Sequence, residues 1–186
     1  MSGLEVKHKH KLWLSLTKSK LVVIMNYEFL GALPNQNIIL TKKSLIEEAN
    51  CVLIFAFYQG KLVLVKHHCR GWELPGGNRE EGESVTQTVI REMYEETGGE
   101  LDSIERIGQY LIFEQARLVF VKNIYISKVS VLRELPNGFE TNGVMLLDTI
   151  PKQSEFVNDP TFSPLMKDNV FLIVSDWIKD HHFTQK

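Results

Sequence analysis

Apolar and polar positions along this chain fall into short runs with two distinct periods. Cys51-Val-Leu-Ile-Phe-Ala-Phe-Tyr58 and Lys61-Leu-Val-Leu-Val-Lys66 are strand-like, and Gln59-Gly60 between them predicts a tight hairpin. Residues 107–113 and 118–128, rich in β-branched and aromatic side chains, predict a second strand pair, and Val144-Met-Leu-Leu147 a further short strand. Between these pairs the period changes. Val85, Val89 and Met93 repeat every four residues with Ile90 beside them, which predicts a helix with one apolar stripe. Ser84 with Gln87 three residues on forms a capping box, and Gly98-Gly99 supplies a left-handed stop. Near the end, Ser163-Pro164 reads as a helix start, and Val170, Phe171, Val174, Trp177 and Ile178 as the buried stripe of a C-terminal helix. Strands bracketing one helix and closed by another predict an α/β domain, a mixed β-sheet packed between helices.

Composition narrows the class. A chain of 186 residues with 44% hydrophobic content is sized for one domain with a substantial core. Net charge of −2 excludes a broad basic surface for coating nucleic acid. Cys51 and Cys69 are too few for a disulfide framework and point to a reducing, cytoplasmic setting. No apolar run reaches the ~18 residues of a membrane span. Residues 1–24 alternate Lys and His around a broken apolar stretch, without the continuous run of a signal peptide. We expect them to be a loose extension, with Met25 as a possible native start and residues 25–186 as the domain.

The chemistry concentrates between Gly77 and Gly99. Glu92, Glu95 and Glu96 stand at i, i+3 and i+4, so a helix sets three carboxylates side by side. Such like charges repel, and a hard divalent cation removes the penalty; Mg²⁺ is held by a few carboxylates, waters and substrate phosphates. Arg91 lies on the same side as Glu95 and could orient a carboxylate through two parallel contacts. Glu83, just ahead of the helix, could reach an outer metal or complement the helix N-terminus. The alternative is a solvated glutamate-rich face. Seven fixed identities, at Gly77, Glu83, Arg91, Glu92, Glu95, Glu96 and Gly98, coincide by chance on the order of once in 10⁸ windows at average residue usage.

That pattern, Gly-x5-Glu-x7-Arg-Glu-apolar-x-Glu-Glu-x-Gly, resembles the Nudix box. The family usually has an aliphatic residue where Gly99 stands. Around the box, residues 70–77, 121–125, 139–143 and 162–168 are similar to bacterial YtkD-type, MutT-like nucleoside triphosphatases, with similarity from about Met25 to the C-terminal helix. The resemblance implies an α/β/α Nudix fold and a Mg²⁺ (or Mn²⁺) cofactor held by Glu92, Glu95 and Glu96. It implies that a backbone carbonyl at Gly77 ligates metal, although Gly76 and Gly77 after Pro75 also read simply as a turn. It implies, too, a remote general base at Glu140, with Glu114 as competitor.

Other assignments rest on residue chemistry. Lys66 at a strand end could contact a phosphate as a point charge. Asp168 or Asn169 could read a purine edge, since a carboxylate accepts from guanine-type N–H groups and an amide both donates and accepts. Alternatively, Asp168 only favours a helix N-terminus. The pairs His67-His68 and His181-His182 have no carboxylate or cysteine at ligand spacing and receive no role. The resemblance implies hydrolysis of guanine nucleotides, including 8-oxo-dGTP, to monophosphate and pyrophosphate. A second class is removal of phosphates from triphosphorylated RNA 5′ ends by the same box. A third, a non-catalytic nucleotide sensor, fits poorly with an intact set of carboxylates.

Overall fold

The computed structural model describes residues 9–17, 20–31 and 35–185, with side chains from Asn26 onward. Among the described residues nine strands join one sheet in the order β1-β2-β3-β7-β8-β4-β5-β6, with β9 on β5. The strands are β1 (Lys9–Thr17), β2 (Lys20–Leu30), β3 (Gln36–Thr41), β4 (Cys51–Tyr58), β5 (Lys61–His67), β6 (Gly71–Glu73), β7 (Gly99–Glu114), β8 (Arg117–Leu132) and β9 (Thr141–Leu147). β4 and β8 run parallel and the other named pairs antiparallel, so the sheet is mixed.

Residues alternate across the sheet because strand side chains point to opposite faces. Val52, Ile54, Ala56 and Val63 pack against Val89 and Met93 of helix α1 (Val85–Thr97). From the other face Phe55, Phe57, Leu62 and Leu64 pack against Val170, Phe171, Val174 and Ile178 of the C-terminal helix α3 (Asn169–Ile178). A one-turn helix, α2 (Gln153–Phe156), adds Phe156 to this second core, edge-on to Phe171 at 5.2 Å between ring centroids. The helix–sheet–helix arrangement is the α/β/α architecture expected.

Local signals settle into the geometry they predict. Gln59 and Gly60 both adopt positive φ, 52° and 76°, the backbone of a two-residue hairpin turn. Ser84 caps α1 with both halves of the capping box formed, and Gly98 closes it at φ 68°. Three readings change. Ile90 is half exposed, and Thr88 rather than Ile90 borders the buried stripe. Ser163 and Pro164 start only a 3₁₀ turn (Pro164–Met166); α3 begins later, where the Asp168 carboxylate accepts from the Val170 N–H at 2.9 Å. The second strand pair is longer than its apolar run, because bulges near Leu101 and Gly108 let β7 and β8 continue through polar positions.

Residues 9–17 and 20–30 form paired strands at one end of the sheet, Lys9 opposite Glu28 and Thr17 opposite Lys20. The expectation for residues 1–8 lies outside the described residues. No helix among the described residues is long and apolar enough to cross a membrane.

Candidate functional site

The residues before α1 loop across the end of β4. The Gly77 carbonyl accepts from the Val52 N–H and the Pro75 carbonyl from the Ile54 N–H, both at 2.9 Å. Two glycines make this close approach possible. Gly76 sits at φ 150°, and a Cβ there would run into the Val52 carbonyl. A Cβ on Gly77 would occupy the space of the Glu92 carboxylate. The loop and the helix therefore meet with the Glu92 carboxylate directly over bare backbone.

Arg91 organises this end of α1. Its Nε lies 2.7 Å from Glu83 Oε1 and its Nη2 3.1 Å from Glu83 Oε2. Its Nη1 reaches Glu92 and Glu95, each at 3.0 Å, while Nη2 also donates to the Asn78 carbonyl at 2.8 Å. One planar guanidinium thus satisfies three carboxylates and a backbone oxygen. Arg91 holds the Glu83 carboxyl down to about pKa 2, helped by the Glu80 N–H and the Thr88 hydroxyl. Those carboxylates raise the Arg91 pKa in return, the bond to Glu83 contributing most. Glu83 therefore belongs to the scaffold of the site, tied to Arg91.

Glu92 and Glu96 are each 8% exposed. Burial raises both acids despite their partners: Arg91 opposes the rise at Glu92, and the Gly76 N–H, 2.9 Å from Glu96 Oε2, opposes it at Glu96. Glu96 is pushed up to about 8. Buried carboxylates raised in this way are relieved by a cation. The all-oxygen donor set of Glu92, Glu95, Glu96 and neighbouring carbonyls fits a hard divalent ion. Arg91 holds the Glu92 and Glu95 carboxylates and the Gly76 N–H holds that of Glu96. A hard ion there would complete its shell with waters and substrate phosphates.

These side chains line a cleft of about 800 Å³. Tyr110, Lys122 and Asp168 line the same cleft, with Ile38, Ile112 and Phe120 as apolar walls. The parallel β4–β8 register sets Lys122 beside Cys51, and β7–β8 pairing sets Tyr110 across from Lys122, whose Nζ lies 5.7 Å from the Tyr110 ring centroid. Burial pushes the Asp168 carboxyl up to about 6 although the Val170 and Phe171 N–H groups and Lys122 oppose the rise.

Glu140, in the loop before β9, also lines the cleft. The adjacent Thr141 hydroxyl donates to the Glu96 carbonyl at 3.1 Å, pinning this loop to α1. The competitor Glu114 is not among the cleft residues; it bonds Gln36 at the far end of β7. Lys66 and Asn169 do not line the cleft either. Lys66 Nζ sits 5.8 Å from the Trp72 ring centroid, packing along β6. Asn169 is the first residue of α3.

Sequence reasoning missed several cleft residues. Glu73, 6% exposed, is gripped by Arg70 through two nitrogens, the shortest contact 2.6 Å. Lys122 and Tyr110 come together only through sheet topology, which local pattern does not carry. Both histidine pairs meet carboxylates distant in sequence: His67 faces Glu140 at 3.4 Å and His181 faces Glu105 at 3.3 Å. With His182, Glu105 and His181 form a compact cluster whose ligand atoms lie within 4.8 Å of one another, on the surface and apart from the cleft.

The family model for the NUDIX domain matches residues 48–148. The chain belongs to the Nudix family. Nudix hydrolases cleave phosphoanhydride bonds, generally with divalent metals, and this chain is a hydrolase of that class. YtkD of Bacillus subtilis (strain 168), provisionally named an 8-oxo-dGTP diphosphatase, is 33% identical over 129 residues, covering 69% of this chain and 80% of that protein. Among solved structures, the Bacillus subtilis pyrophosphohydrolase BsRppH superposes with a TM-score of 0.78 at 28% identity, over 86% of this chain and 99% of that one. A Nudix hydrolase family member from Chromobacterium violaceum shares the fold at 15% identity, with a TM-score of 0.50 over 74% and 85% of the two chains. After the Gly98 stop, the Gly99 N–H donates to the Thr97 hydroxyl at 2.9 Å. A Cβ at Gly99 would crowd that hydroxyl at 2.7 Å.

Proposed function

We propose that this Nudix hydrolase is a Mg²⁺-dependent nucleoside triphosphate pyrophosphohydrolase acting on dGTP-type nucleotides, 8-oxo-dGTP included, and releasing monophosphate and pyrophosphate. The observation that carries the reading is one cleft lined both by the α1 carboxylates and by Asp168, Lys122 and Tyr110. Its volume falls in the ~300–1,000 Å³ range of small-molecule sites.

Each part of the cleft has a task in this reading. Glu92, Glu95 and Glu96 would hold Mg²⁺, which would supply positive charge to the phosphates and lower the pKa of a water at the site. Glu140 accepts a proton from the attacking water. The water oxygen bonds to phosphorus, the bridging P–O bond breaks, and its electron pair leaves on the departing phosphate oxygen. Arg91 keeps Glu92 and Glu95 oriented throughout, so the site is organised before substrate arrives. Asp168 accepts from the N–H edge of a guanine-type base, and Tyr110 and Ile112 pack against its ring. YtkD's provisional name supports the oxidised guanine nucleotide as substrate.

A second reading is removal of phosphates from triphosphorylated RNA 5′ ends. It is favoured by Phe120 and Phe139, 42% and 38% exposed on the cleft. Exposed rings at a cleft mouth can stack a further base, worth roughly 1–3 kcal/mol. Turnover of 8-oxo-dGTP, dGTP and a short 5′-triphosphate RNA at equal concentration, with products resolved, tests both readings. Higher kcat/KM on a free nucleotide with pyrophosphate release supports the first. Higher kcat/KM on the RNA replaces it with the second.

A further inference from the structure

We propose that His67 and His68 form a clamp that positions the loop carrying Glu140, with His67 aiming the Glu140 carboxylate. The inference rests on the reading of Glu140 as the proton acceptor.

The proton on His67 is assigned by its surroundings. Its Nδ1 accepts two backbone hydrogen bonds, from Cys69 N–H at 3.0 Å and Arg70 N–H at 3.2 Å. A neutral imidazole with an accepting Nδ1 carries its proton on Nε2. That nitrogen lies 3.4 Å from Glu140 Oε2. The His67 ring is 8% exposed and cannot turn without breaking the Cys69–Arg70 turn. Glu140, by contrast, has a side chain 82% exposed, with Arg70 as a second, more exposed neighbour. At 3.4 Å the His67 Nε2–H is a close electrostatic contact rather than a full hydrogen bond, and it gives the carboxylate a fixed, buried neighbour to face.

His68 secures the backbone of the same loop. Its N–H donates to the Glu140 carbonyl at 3.1 Å. Its Nε2 is 3.3 Å from the Phe139 carbonyl and its Nδ1 3.3 Å from the Asn142 amide nitrogen. A single tautomer, proton on Nε2, satisfies both contacts: the ring donates to Phe139 and accepts from Asn142. The strand register slips between Val65 and His67 where β5 meets β9, and His67 then pairs with Thr141. Bulges recur beside active sites because they re-aim a side chain. Here the slip brings two consecutive histidines to bear on residues 139–142. On the opposite side Thr141 is tied to the Glu96 carbonyl. The loop is thus held between the clamp and the metal-binding helix.

Two substitutions separate aiming from folding. His67→Asn keeps an acceptor near Nδ1 for the turn but loses the N–H toward Glu140. His67→Gln keeps a donor near Nε2 but loses the turn acceptor. Thermal unfolding and steady-state kinetics are measured on both, on Glu140→Gln and on the His67→Asn/Glu140→Gln double variant. We expect Glu140→Gln to lower kcat about 10²-fold. His67→Asn should lower kcat by between about tenfold and 10²-fold at unchanged KM, the cost of a misplaced reacting group. His67→Gln should keep most of kcat while lowering Tm. The double variant should be no slower than Glu140→Gln alone, since the two residues act as one unit. An unimpaired His67→Asn enzyme, or losses that multiply in the double variant, would overturn the clamp while leaving Glu140 as the base. An unimpaired Glu140→Gln enzyme would overturn the base assignment, and the clamp with it. If His67→Asn fails to fold, His67→Gln decides: loss of kcat alongside Tm overturns the aiming role.

Discussion

Arg91 grips Glu83 across eight residues of sequence, Nε to Oε1 at 2.7 Å and Nη2 to Oε2 at 3.1 Å. The same guanidinium spans Glu92 and Glu95, so it is the cation that lets α1 carry clustered carboxylates before any metal binds. Replacing it by Met leaves those acids without their counter-charge. We expect Arg91→Met to cost about 2–3 kcal/mol of stability, below the full penalty for breaking a buried pair because Arg91 is partly exposed. Millimolar Mg²⁺ should recover part of that loss, since binding to the native state alone stabilises it. Urea unfolding with and without Mg²⁺ checks both numbers. Arg91→Lys keeps the charge but not the planar fork, so stability should change less while kcat falls.

Gly76 and Gly77 should fail in different ways. At Gly77 an added Cβ meets the end of the Glu92 side chain rather than backbone, so it displaces the carboxylate from Arg91 and not the fold. Gly77→Ala should therefore fold with a small loss of Tm and a large loss of Mg²⁺-stimulated turnover. At Gly76 the φ of 150° and the Val52 carbonyl both oppose a side chain. Gly76→Ala should lower Tm sharply. Parallel melting curves and kcat values distinguish the two.

The Asp168 carboxyl gives a pH signature. Burial raises it from an ordinary 3.8 to about 6, so folding favours its neutral form. Its contribution to stability is full below pH 3.8 and is lost as pH rises through 6. Wild type minus Asp168→Asn, compared by urea unfolding from pH 3.5 to 7, should fall across that window; Asn remains a good N-cap. If ionised Asp168 accepts from guanine N–H groups, KM for dGTP should drop as pH rises through about 6 in the wild type but not in Asp168→Asn. A KM profile identical in both would remove Asp168 from base reading.

Ser84 tests the helix start alone. Its hydroxyl accepts from the Gln87 N–H at 3.3 Å while the Gln87 side chain accepts from the Ser84 N–H at 2.8 Å. Ser84→Ala should cost about 0.5–2 kcal/mol in chemical denaturation. Turnover should be nearly unchanged under native conditions, because Ser84 does not line the cleft.

What was legible in the sequence was local. The capping box, the left-handed stop at Gly98, the two-residue hairpin at Gln59-Gly60 and the i, i+3, i+4 carboxylates are all set by neighbours within a few positions. What was not legible depends on how strands pair. Strand β3 has no clear local signal because its short run, Gln-Asn-Ile-Ile-Leu-Thr, becomes a strand only between β2 and β7. Lys122 is an ordinary polar position in a strand until parallel pairing with β4 brings it to the cleft. Lys66, the lysine that stood out by its place before the box, packs on Trp72 instead. The start of α3 moved from Ser163 to Asp168 because both residues can cap. The stretch from Pro164 to Met166 turns as 3₁₀ before the helix begins. The histidine pairs read as idle because the carboxylate partners of His67 and His181 lie about 75 residues away in sequence.

We propose that Glu92, Glu95 and Glu96 hold the metal with which this Nudix chain hydrolyses a nucleoside triphosphate. The most direct measurement is pyrophosphate release from 8-oxo-dGTP and dGTP against Mg²⁺ concentration, for the wild type and Glu96→Gln. The account predicts saturable Mg²⁺ stimulation in the wild type. It also predicts a loss of at least about 10²-fold in the variant, with its fold intact by circular dichroism. Mg²⁺-independent release, or undiminished turnover by Glu96→Gln, would contradict it.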